Sequence, residues 1–134
     1  MSNLNPDHEY GVFEIGMSKK GEIDKLSRKI KPKLAIITNI GEAHIENFKN
    51  IKGIAEAKGE IINNISKNGT IILNRDDKFF SFLKTKAMSK NIKVISFGRS
   101  KESDIALIKT TRKRKRKIIT VSVQGKYLNF EIKE

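Results

Sequence analysis

The chain has no cysteine and no long apolar run, and both absences limit what it can be. Without cysteine among its 134 residues, it has neither disulfides nor thiolate metal sites. No apolar stretch approaches the roughly 20 residues that a membrane-spanning helix needs. The N-terminus is polar and lacks the apolar core of a signal peptide. The length fits one domain, so the sequence predicts a single soluble, cytoplasmic domain.

Aromatic residues are also few, which affects how the strong positive charge is interpreted. The net charge is +13, and proteins this basic attract polyanions such as nucleic acids or nucleotides. Six of the charges form one run, Arg112–Lys117, and the other +7 is spread along the chain. No aromatic residue is interleaved with this run to stack on bases. A solvated turn between two strands is therefore favoured over a specific nucleic-acid site.

Apolar periodicity predicts alternating strands and helices as far as Gly98. The predicted strands cover residues 10–15, 34–38, 70–73 and 93–97. The predicted helices cover residues 21–30, 53–66 and 79–88. Strands separated by helices favour a parallel sheet with right-handed crossovers.

Beyond Gly98 the pattern changes to consecutive strands. These strands cover residues 104–109, 117–123 and 127–132, with turns at the basic run and at Gln124-Gly125. The predicted fold class is therefore α/β. A mostly parallel sheet with flanking helices occupies about residues 9–98, and a small antiparallel β meander follows over about residues 103–133.

Three polar residues lie at or just beyond the ends of successive predicted parallel strands. These residues are Glu14, Asn39 and Asn74. In open α/β sheets, ligands bind outside the carboxyl ends of the strands. A carboxylate and two amides at this edge are suited to a nucleotide and Mg²⁺. The alternative is that these residues simply end strands, as asparagine often does in turns.

Lys58 lies on the apolar face of the predicted helix 53–66. At 100° per residue it falls between Ile54 and Ile62, four residues before and after it. An ammonium group in the middle of a buried face is costly, so it must be paired, neutral or chemically altered. The alternative is that the side chain extends along its own stem to water.

Several short motifs in a fixed order resemble the central domain of the Mur ligases. They are Glu14-Ile15-Gly16, Gly21-Glu22-Ile23, Thr38-Asn39-Ile40, Ala43-His44-Ile45-Glu46 and Ala57-Lys58-Gly59-Glu60-Ile61. The resemblance is well spaced from about Asn5 to Asn74 and continues weakly to the end. Within the family it is strongest to the members that add D-alanyl-D-alanine to UDP-N-acetylmuramoyl-tripeptide.

The resemblance implies ATP-dependent amide-bond formation through an acyl phosphate in peptidoglycan precursor synthesis, with ATP and Mg²⁺ as cofactors. Glu14 and His44 would bind magnesium, although a lone histidine is by itself usually only a hydrogen-bonded side chain. Lys58 would be carbamylated: its neutral amine would take up CO₂ and become a further carboxylate facing the magnesium. By the same resemblance, Lys58 and His44 are the expected catalytic residues.

The same resemblance places the two asparagines at the nucleotide. Asn74 would hydrogen-bond the adenine edge, and Asn39 would line the phosphate or acyl-acceptor side. The residues following Asn74 allow a different role, because Asp76 or Asp77 is suited to cap the next helix.

The phosphate-binding motif G-x-x-x-x-G-K-[ST] expected in this family is absent from the sequence. The nearest match, Gly16–Gly21, lacks the Lys-Ser/Thr that would contact phosphate and metal. We therefore expect residues 1–134 to be a partial central domain without its P-loop strand. By the same resemblance, we expect the N-terminal UDP-substrate domain and the C-terminal domain to lie outside these residues. Such a fragment would be inactive alone, with the missing ligase domains as partners in trans.

Two other interpretations remain. One stays in the superfamily: another Mur ligase or a folylpolyglutamate-type synthetase. The other is a non-catalytic basic module that binds nucleic acid through Arg112–Lys117, which would show binding that falls steeply with salt.

Overall fold

A computed structural model describes residues 7–42, 45–113 and 115–133 of the protein. The helices are α1 (Glu22–Ile30), α2 (Ile51–Lys58) and α3 (Phe80–Met88), with 3₁₀ helices at Ile45–Asn47 and Gly59–Asn64. The strands are β1 (Leu34–Ile37), β2 (Thr70–Asn74), β3 (Lys93–Gly98), β4 (Ile105–Lys113), β5 (Arg116–Val123) and β6 (Lys126–Lys133). Within these residues, no helix is long and apolar enough to cross a bilayer.

All six strands form one sheet in the order β1-β2-β3-β4-β5-β6. β1 to β4 pair in parallel, and β4, β5 and β6 pair antiparallel. The predicted α/β class with an antiparallel meander is confirmed. The meander continues the parallel sheet, because Phe97 pairs with Ile105 and Gly98 with Ala106.

The hydrophobic core lies on one side of the parallel strands. Ala35 and Ile37 of β1 are buried there, whereas Leu34 and Ile36 on the other side are 60% and 56% exposed. The three α-helices and the 3₁₀ helix Gly59–Asn64 cover the buried side and contribute Ile23, Ile54, Ile62 and Leu83 to one core cluster. Burying an aliphatic side chain of this size stabilises the fold by about 2 kcal/mol.

The predicted strand at residues 10–15 is wrong. This segment has no regular secondary structure, and Val12 is fully exposed. A strand needs a hydrogen-bonded neighbour, and β1 forms the edge of the sheet within the described part of the chain. Only the end of the segment is packed, where Ile15 and Met17 contact the core.

The predicted helix 53–66 forms in two parts. α2 begins at Ile51, after the Asn50 side chain accepts a hydrogen bond from the Gly53 N–H at 3.1 Å. At Gly59 the chain tightens into the 3₁₀ helix. A Cβ on Gly59 would lie 3.0 Å from Leu83 Cδ2, so glycine allows α3 to pack closely here.

The two predicted turns of the meander differ. Gln124 and Gly125 have φ of 50° and 77° and form a tight hairpin loop, as predicted. The basic run is mostly strand, because β4 extends to Lys113 and β5 begins at Arg116. Arg112 and Lys117 therefore face each other across the two strands.

Candidate functional site

The carboxyl ends of β1 and β2 are joined by the side chain of Asn74. Its Nδ2 donates to the carbonyl of Thr38 at 3.0 Å, and its Oδ1 accepts the Asp76 N–H at 2.9 Å. Asn74 thus lies at the predicted edge of the sheet. There its amide holds two chain segments in place.

Lys58 reaches the same edge from α2. Its Nζ donates to the backbone carbonyl of Asn39 at 3.0 Å, two residues beyond the end of β1. Ile54 and Ile62 are buried, which confirms the predicted apolar arc, and Lys58 itself is half-buried. The amine is thus paired with a backbone carbonyl at the sheet edge, and this hydrogen bond is exposed to solvent.

Asp77 is a further organising residue of this edge. Its Oδ2 accepts the Ile40 N–H at 2.6 Å, and its Oδ1 accepts the Phe79 N–H at 2.8 Å. It thereby fixes the chain after β1 against the segment that leads into α3. The sequence suggested only helix capping, but two acidic residues two and three positions after a strand-ending asparagine were a signal for acceptors at this edge.

The expected capping of α3 by Asp76 or Asp77 is wrong. The N-cap of α3 is Phe79, which has no side-chain capping bond. Asp77 bonds just ahead of the helix, whereas the Asp76 carboxylate accepts the N–H groups of Arg99 at 2.7 Å and Ser100 at 3.3 Å. The side chain of Asp76 thus binds the backbone of the loop after β3.

The structure locates only part of the predicted metal site. Glu14 is exposed in the irregular segment and therefore does not end a strand. His44 lies outside the described residues. Within the described ranges, no group of three or more His, Cys, Asp or Glu side chains is arranged to hold a metal ion. The grouping of Glu14, His44 and Lys58 around magnesium stays a prediction.

Glu60 connects Lys58 to the N-terminus of α1. Glu60 is buried, with 8% of its surface exposed, and its carboxylate accepts the N–H of Gly21 at 2.9 and 3.1 Å and that of Asp24 at 3.1 Å. No sequence pattern predicted this link between Glu60 and α1. The available signal was its position three residues after Ala57, on the buried side of the helix.

A cavity of about 570 Å³ opens beside Glu60. Its lining consists mainly of charged side chains: Lys20, Gly21, Asp24, Glu56, Glu60, Asn63 and Lys86. Burial lowers the pKa of Lys86, and the neighbouring Glu60 carboxylate opposes this effect.

Comparisons with known proteins agree with this fold. The sequence profile of the Mur ligase middle domain matches residues 1–133. The UDP-N-acetylmuramoyl-tripeptide–D-alanyl-D-alanine ligase of Rickettsia prowazekii is 40% identical over 112 residues, which are 81% of this chain and 24% of that protein.

Two solved structures are similar. A crystal structure of MurF from Acinetobacter baumannii has a TM-score of 0.86 and 28% identity, covering 97% of this chain and 28% of that one. MurF from Thermotoga maritima in complex with ADP has a TM-score of 0.71 and 25% identity, covering 85% of this chain and 26% of that one. This chain spans about a quarter of the relatives it matches. With nearly its whole length matched, it is a member of the Mur ligase middle domain family.

Proposed function

We propose that this chain is the nucleotide-proximal part of an ATP-dependent ligase. The ligase adds D-alanyl-D-alanine to UDP-N-acetylmuramoyl-tripeptide through an acyl phosphate. The names of the relatives support the substrates, and the ADP bound to the Thermotoga protein supports the nucleotide. The observation that carries the proposal is the contact of Lys58 with the Asn39 carbonyl at the carboxyl edge of the sheet.

This contact suits carbamylation of Lys58. A neutral amine has two N–H bonds and a lone pair, so it can donate to Asn39 and still attack CO₂. The new N–C bond forms as one C=O π bond of CO₂ breaks to leave a carboxylate oxygen, the nitrogen gives one proton to water, and the product is a carbamate with one N–H left. That N–H can keep the bond to the Asn39 carbonyl, which would hold the carbamate oxygens at the sheet edge.

The proposed magnesium ligands fit the ion by their donor chemistry. Mg²⁺ prefers oxygen, and both the Glu14 carboxylate and a Lys58 carbamate provide it. The Glu14 carboxylate is exposed at the surface, so its oxygens are accessible to an ion. His44 would complete the set. When bound, magnesium would neutralise negative charge on the transferring phosphate.

The two asparagines would serve the nucleotide differently. Asn39 has an exposed side chain beside the Lys58 amine, which suits contact with a phosphate or with the acyl acceptor. Asn74 already uses both ends of its amide. A direct bond from Asn74 to adenine would therefore replace one of these bonds, most simply that to Thr38.

The remaining groups of the reaction would come from ligase domains outside the matched region, in one polypeptide or in trans. A chimera tests this proposal. The corresponding segment of the Rickettsia prowazekii ligase is replaced by this chain, and ATP-dependent phosphate release is measured with both substrates. Phosphate release that requires UDP-N-acetylmuramoyl-tripeptide and D-alanyl-D-alanine together is the expected result.

Variants of the chimera identify the role of Lys58. Lys58→Ala is expected to lower kcat by about 100-fold or more, with partial recovery in short-chain carboxylic acids that replace the carbamate. The control is Lys52→Ala, an exposed lysine on the same helix, which should retain activity. Turnover with a different acyl acceptor, or full activity of Lys58→Ala, would contradict the proposal.

A further inference from the structure

Two charged side chains bind the two ends of one peptide unit at the carboxyl edge of the sheet. The unit joins Asn39 to Ile40. Its carbonyl accepts a hydrogen bond from Lys58 Nζ at 3.0 Å, and its N–H donates to Asp77 Oδ2 at 2.6 Å. A trans peptide unit is planar, with its C=O and N–H pointing in opposite directions. The bond to Asp77 therefore sets the direction of the carbonyl that Lys58 contacts.

The two charges favour one orientation of this peptide unit. The positive end of its dipole, at the N–H, faces the Asp77 carboxylate, and the negative end, at the carbonyl, faces the Lys58 amine. Rotation of the unit by half a turn would place the carbonyl against the carboxylate and the N–H against the amine, so both contacts would become repulsive. Hydrogen bonds in series also polarise one another, so the bond to Asp77 makes the carbonyl a stronger acceptor for Lys58.

Asp77 is itself held in place. Its other carboxylate oxygen, Oδ1, accepts the N–H of Phe79 at 2.8 Å, and Phe79 packs against the hydrophobic core. Ile40, on the other side of the contact, is buried in the same core. A side chain that is fixed at both of its oxygens is suited to orient a functional group, because its own conformation is locked.

The neighbouring aspartate has bonds of the same kind but a different target. Asp76 accepts N–H groups of the loop after β3. Asp77 binds the peptide unit that contacts Lys58, next to the Thr38 carbonyl that Asn74 holds. Asp76 is therefore a matched control for effects that pass through the contact with Lys58.

We propose that Asp77 is a positioning residue for Lys58 and acts through the Asn39–Ile40 peptide unit. By directing the carbonyl towards α2, Asp77 keeps the Lys58 nitrogen at the sheet edge. The catalytic consequence rests on the proposed function, in which this nitrogen carries the carbamate. The dependence of the Lys58 contact on Asp77 requires neither substrates nor CO₂, so it can be tested separately.

One NMR signal reports on both ends of this peptide unit. The sequence has four Asn-Ile pairs, at residues 39–40, 50–51, 64–65 and 91–92. With ¹³C at the asparagine carbonyls and ¹⁵N in isoleucine, a spectrum that correlates each amide with the preceding carbonyl contains one cross-peak for each pair. The spectra are recorded on the whole chain at constant pH in CO₂-free buffer. The three other cross-peaks show whether each variant is folded.

A double-substitution cycle measures the dependence of Lys58 on Asp77. Lys58→Met removes the donor and should shift the Asn39 carbonyl carbon signal upfield. Asp77→Ala should shift the Ile40 amide proton upfield, and in this background the carbonyl shift caused by Lys58→Met should be lost. In the Asp76→Ala background, Lys58→Met should cause its full shift.

Asp77→Asn is a second variant that keeps the test decisive if alanine prevents folding. Asparagine retains one acceptor oxygen, which can serve the N–H of either Ile40 or Phe79. The carbonyl shift caused by Lys58→Met should persist if the Ile40 amide proton stays downfield, and it should be lost if that proton moves upfield. A Lys58→Met shift that does not follow the Ile40 proton would contradict the proposal.

The ligase chimera measures the catalytic consequence. Asp77→Ala is expected to lower kcat about tenfold, because a displaced catalytic group loses its alignment with the reacting atoms. KM for D-alanyl-D-alanine should change by less than about twofold, since Asp77 acts on the amine of Lys58 and not on this substrate. In a Lys58→Ala background, Asp77→Ala should cause no further loss, whereas Asp76→Ala alone should retain kcat.

Two results would overturn the proposal. One is a Lys58→Met shift of the same size with and without Asp77, and the other is full kcat of the Asp77→Ala chimera. Equal effects of Asp76→Ala and Asp77→Ala would also overturn it, because they would indicate general destabilisation. An unsubstituted chimera without activity would count against the proposed function, and the NMR cycle would still decide whether Asp77 positions Lys58.

Discussion

Both carboxylate oxygens of Glu60 accept the backbone N–H of Gly21, a residue 39 positions earlier in the chain. Glu60 Oε2 also accepts the N–H of Asp24. These bonds satisfy N–H groups at the start of α1, and the negative charge suits the positive end of the helix. Because Glu60 is two residues from Lys58, the same carboxylate ties the helix carrying Lys58 to the end of the segment carrying Glu14.

Replacing Glu60 with glutamine should destabilise the fold. Hydrogen bonds to a charged acceptor contribute about 1.5–3 kcal/mol to stability. In glutamine one acceptor oxygen is replaced by an NH₂ group, which would face a backbone N–H, donor against donor. We expect Glu60→Gln to lower the free energy of unfolding in urea by about 2 kcal/mol. The amide hydrogens of Gly21 and Asp24 should also exchange faster.

Glu56→Gln is the matched control for this prediction. Glu56 is in the same helical region, and its exposed carboxylate is 3.9 Å from Lys20 Nζ. Surface ion pairs contribute at most about 1 kcal/mol, so this variant should change stability by less than about 0.5 kcal/mol. Equal losses in the free energy of unfolding for the two variants would show that the hydrogen bonds of Glu60 stabilise the fold no more than a surface ion pair does.

Gly69→Ala should be strongly destabilising. A Cβ on Gly69 would lie 2.4 Å from Ile65 Cγ2 and 2.8 Å from the backbone carbonyl oxygens of Lys33 and Ser66. Backbone atoms cannot move aside as a flexible side chain can, so we expect a loss of about 3 kcal/mol, measured by thermal unfolding. Gly16→Ala serves as the control, because a Cβ there meets no atom within 4 Å. Similar melting temperatures for the two variants would contradict this prediction.

The contact between Ser96 and Asp104 should make stability depend on acid pH. Asp104 Oδ2 accepts the Ser96 Oγ–H at 2.6 Å and the Ser96 N–H at 2.7 Å, and these bonds lower the pKa of Asp104. Because the folded pKa lies below the unfolded one, the stabilisation is complete above about pH 4. It is lost as the pH falls through the lowered pKa.

Ser96→Ala should therefore be less stable than the unmodified protein at pH 7, by about 1 kcal/mol, and the difference should shrink towards pH 3. Thermal unfolding across this pH range measures the difference. Ser89→Ala is the control, because Ser89 Oγ donates to the carbonyl of Lys86, which does not titrate. A Ser96→Ala difference that stays constant with pH would exclude this linkage.

Carbamylation of Lys58 can be measured directly. In ¹³C-labelled bicarbonate the chain should show a carbamate carbon resonance that strengthens as the pH rises, because only the neutral amine reacts, and that disappears in acid. Lys58→Arg should abolish the resonance, whereas Lys52→Arg, at an exposed position of α2, should preserve it. If Lys58→Arg and Lys52→Arg gave the same spectrum, any carbamate would be on a residue other than Lys58.

Local sequence was sufficient where a pattern repeats within one element. The apolar run at Leu34–Ile37, the apolar arc around Ile54 and Ile62, and the Gln124-Gly125 turn all predicted structure that formed. In each case the determining interactions are between residues close in sequence. The core requires only that an element has apolar residues spaced so that they fall on one side. The ordered motifs likewise indicate the family without reference to tertiary structure.

Contacts distant in sequence decided the rest. Residues 10–15 have the composition of a strand, but among the described residues no strand pairs with them, and strand propensity cannot replace hydrogen bonds between strands. Asp76 and Asp77 have similar capping potential, yet one binds the loop after β3 and the other binds the chain after β1. Nothing near them in sequence distinguishes these partners.

The sequence by itself determined the α/β class, the meander, the family and the position of Lys58 on an otherwise apolar helix face, because periodicity and motif order are properties of the chain. Only the tertiary structure decided where the Lys58 amine ends, what Glu60 holds and which peptide unit Asp77 binds. Those outcomes depend on hydrogen bonds and sheet register between segments tens of residues apart, which are set when the elements pack together.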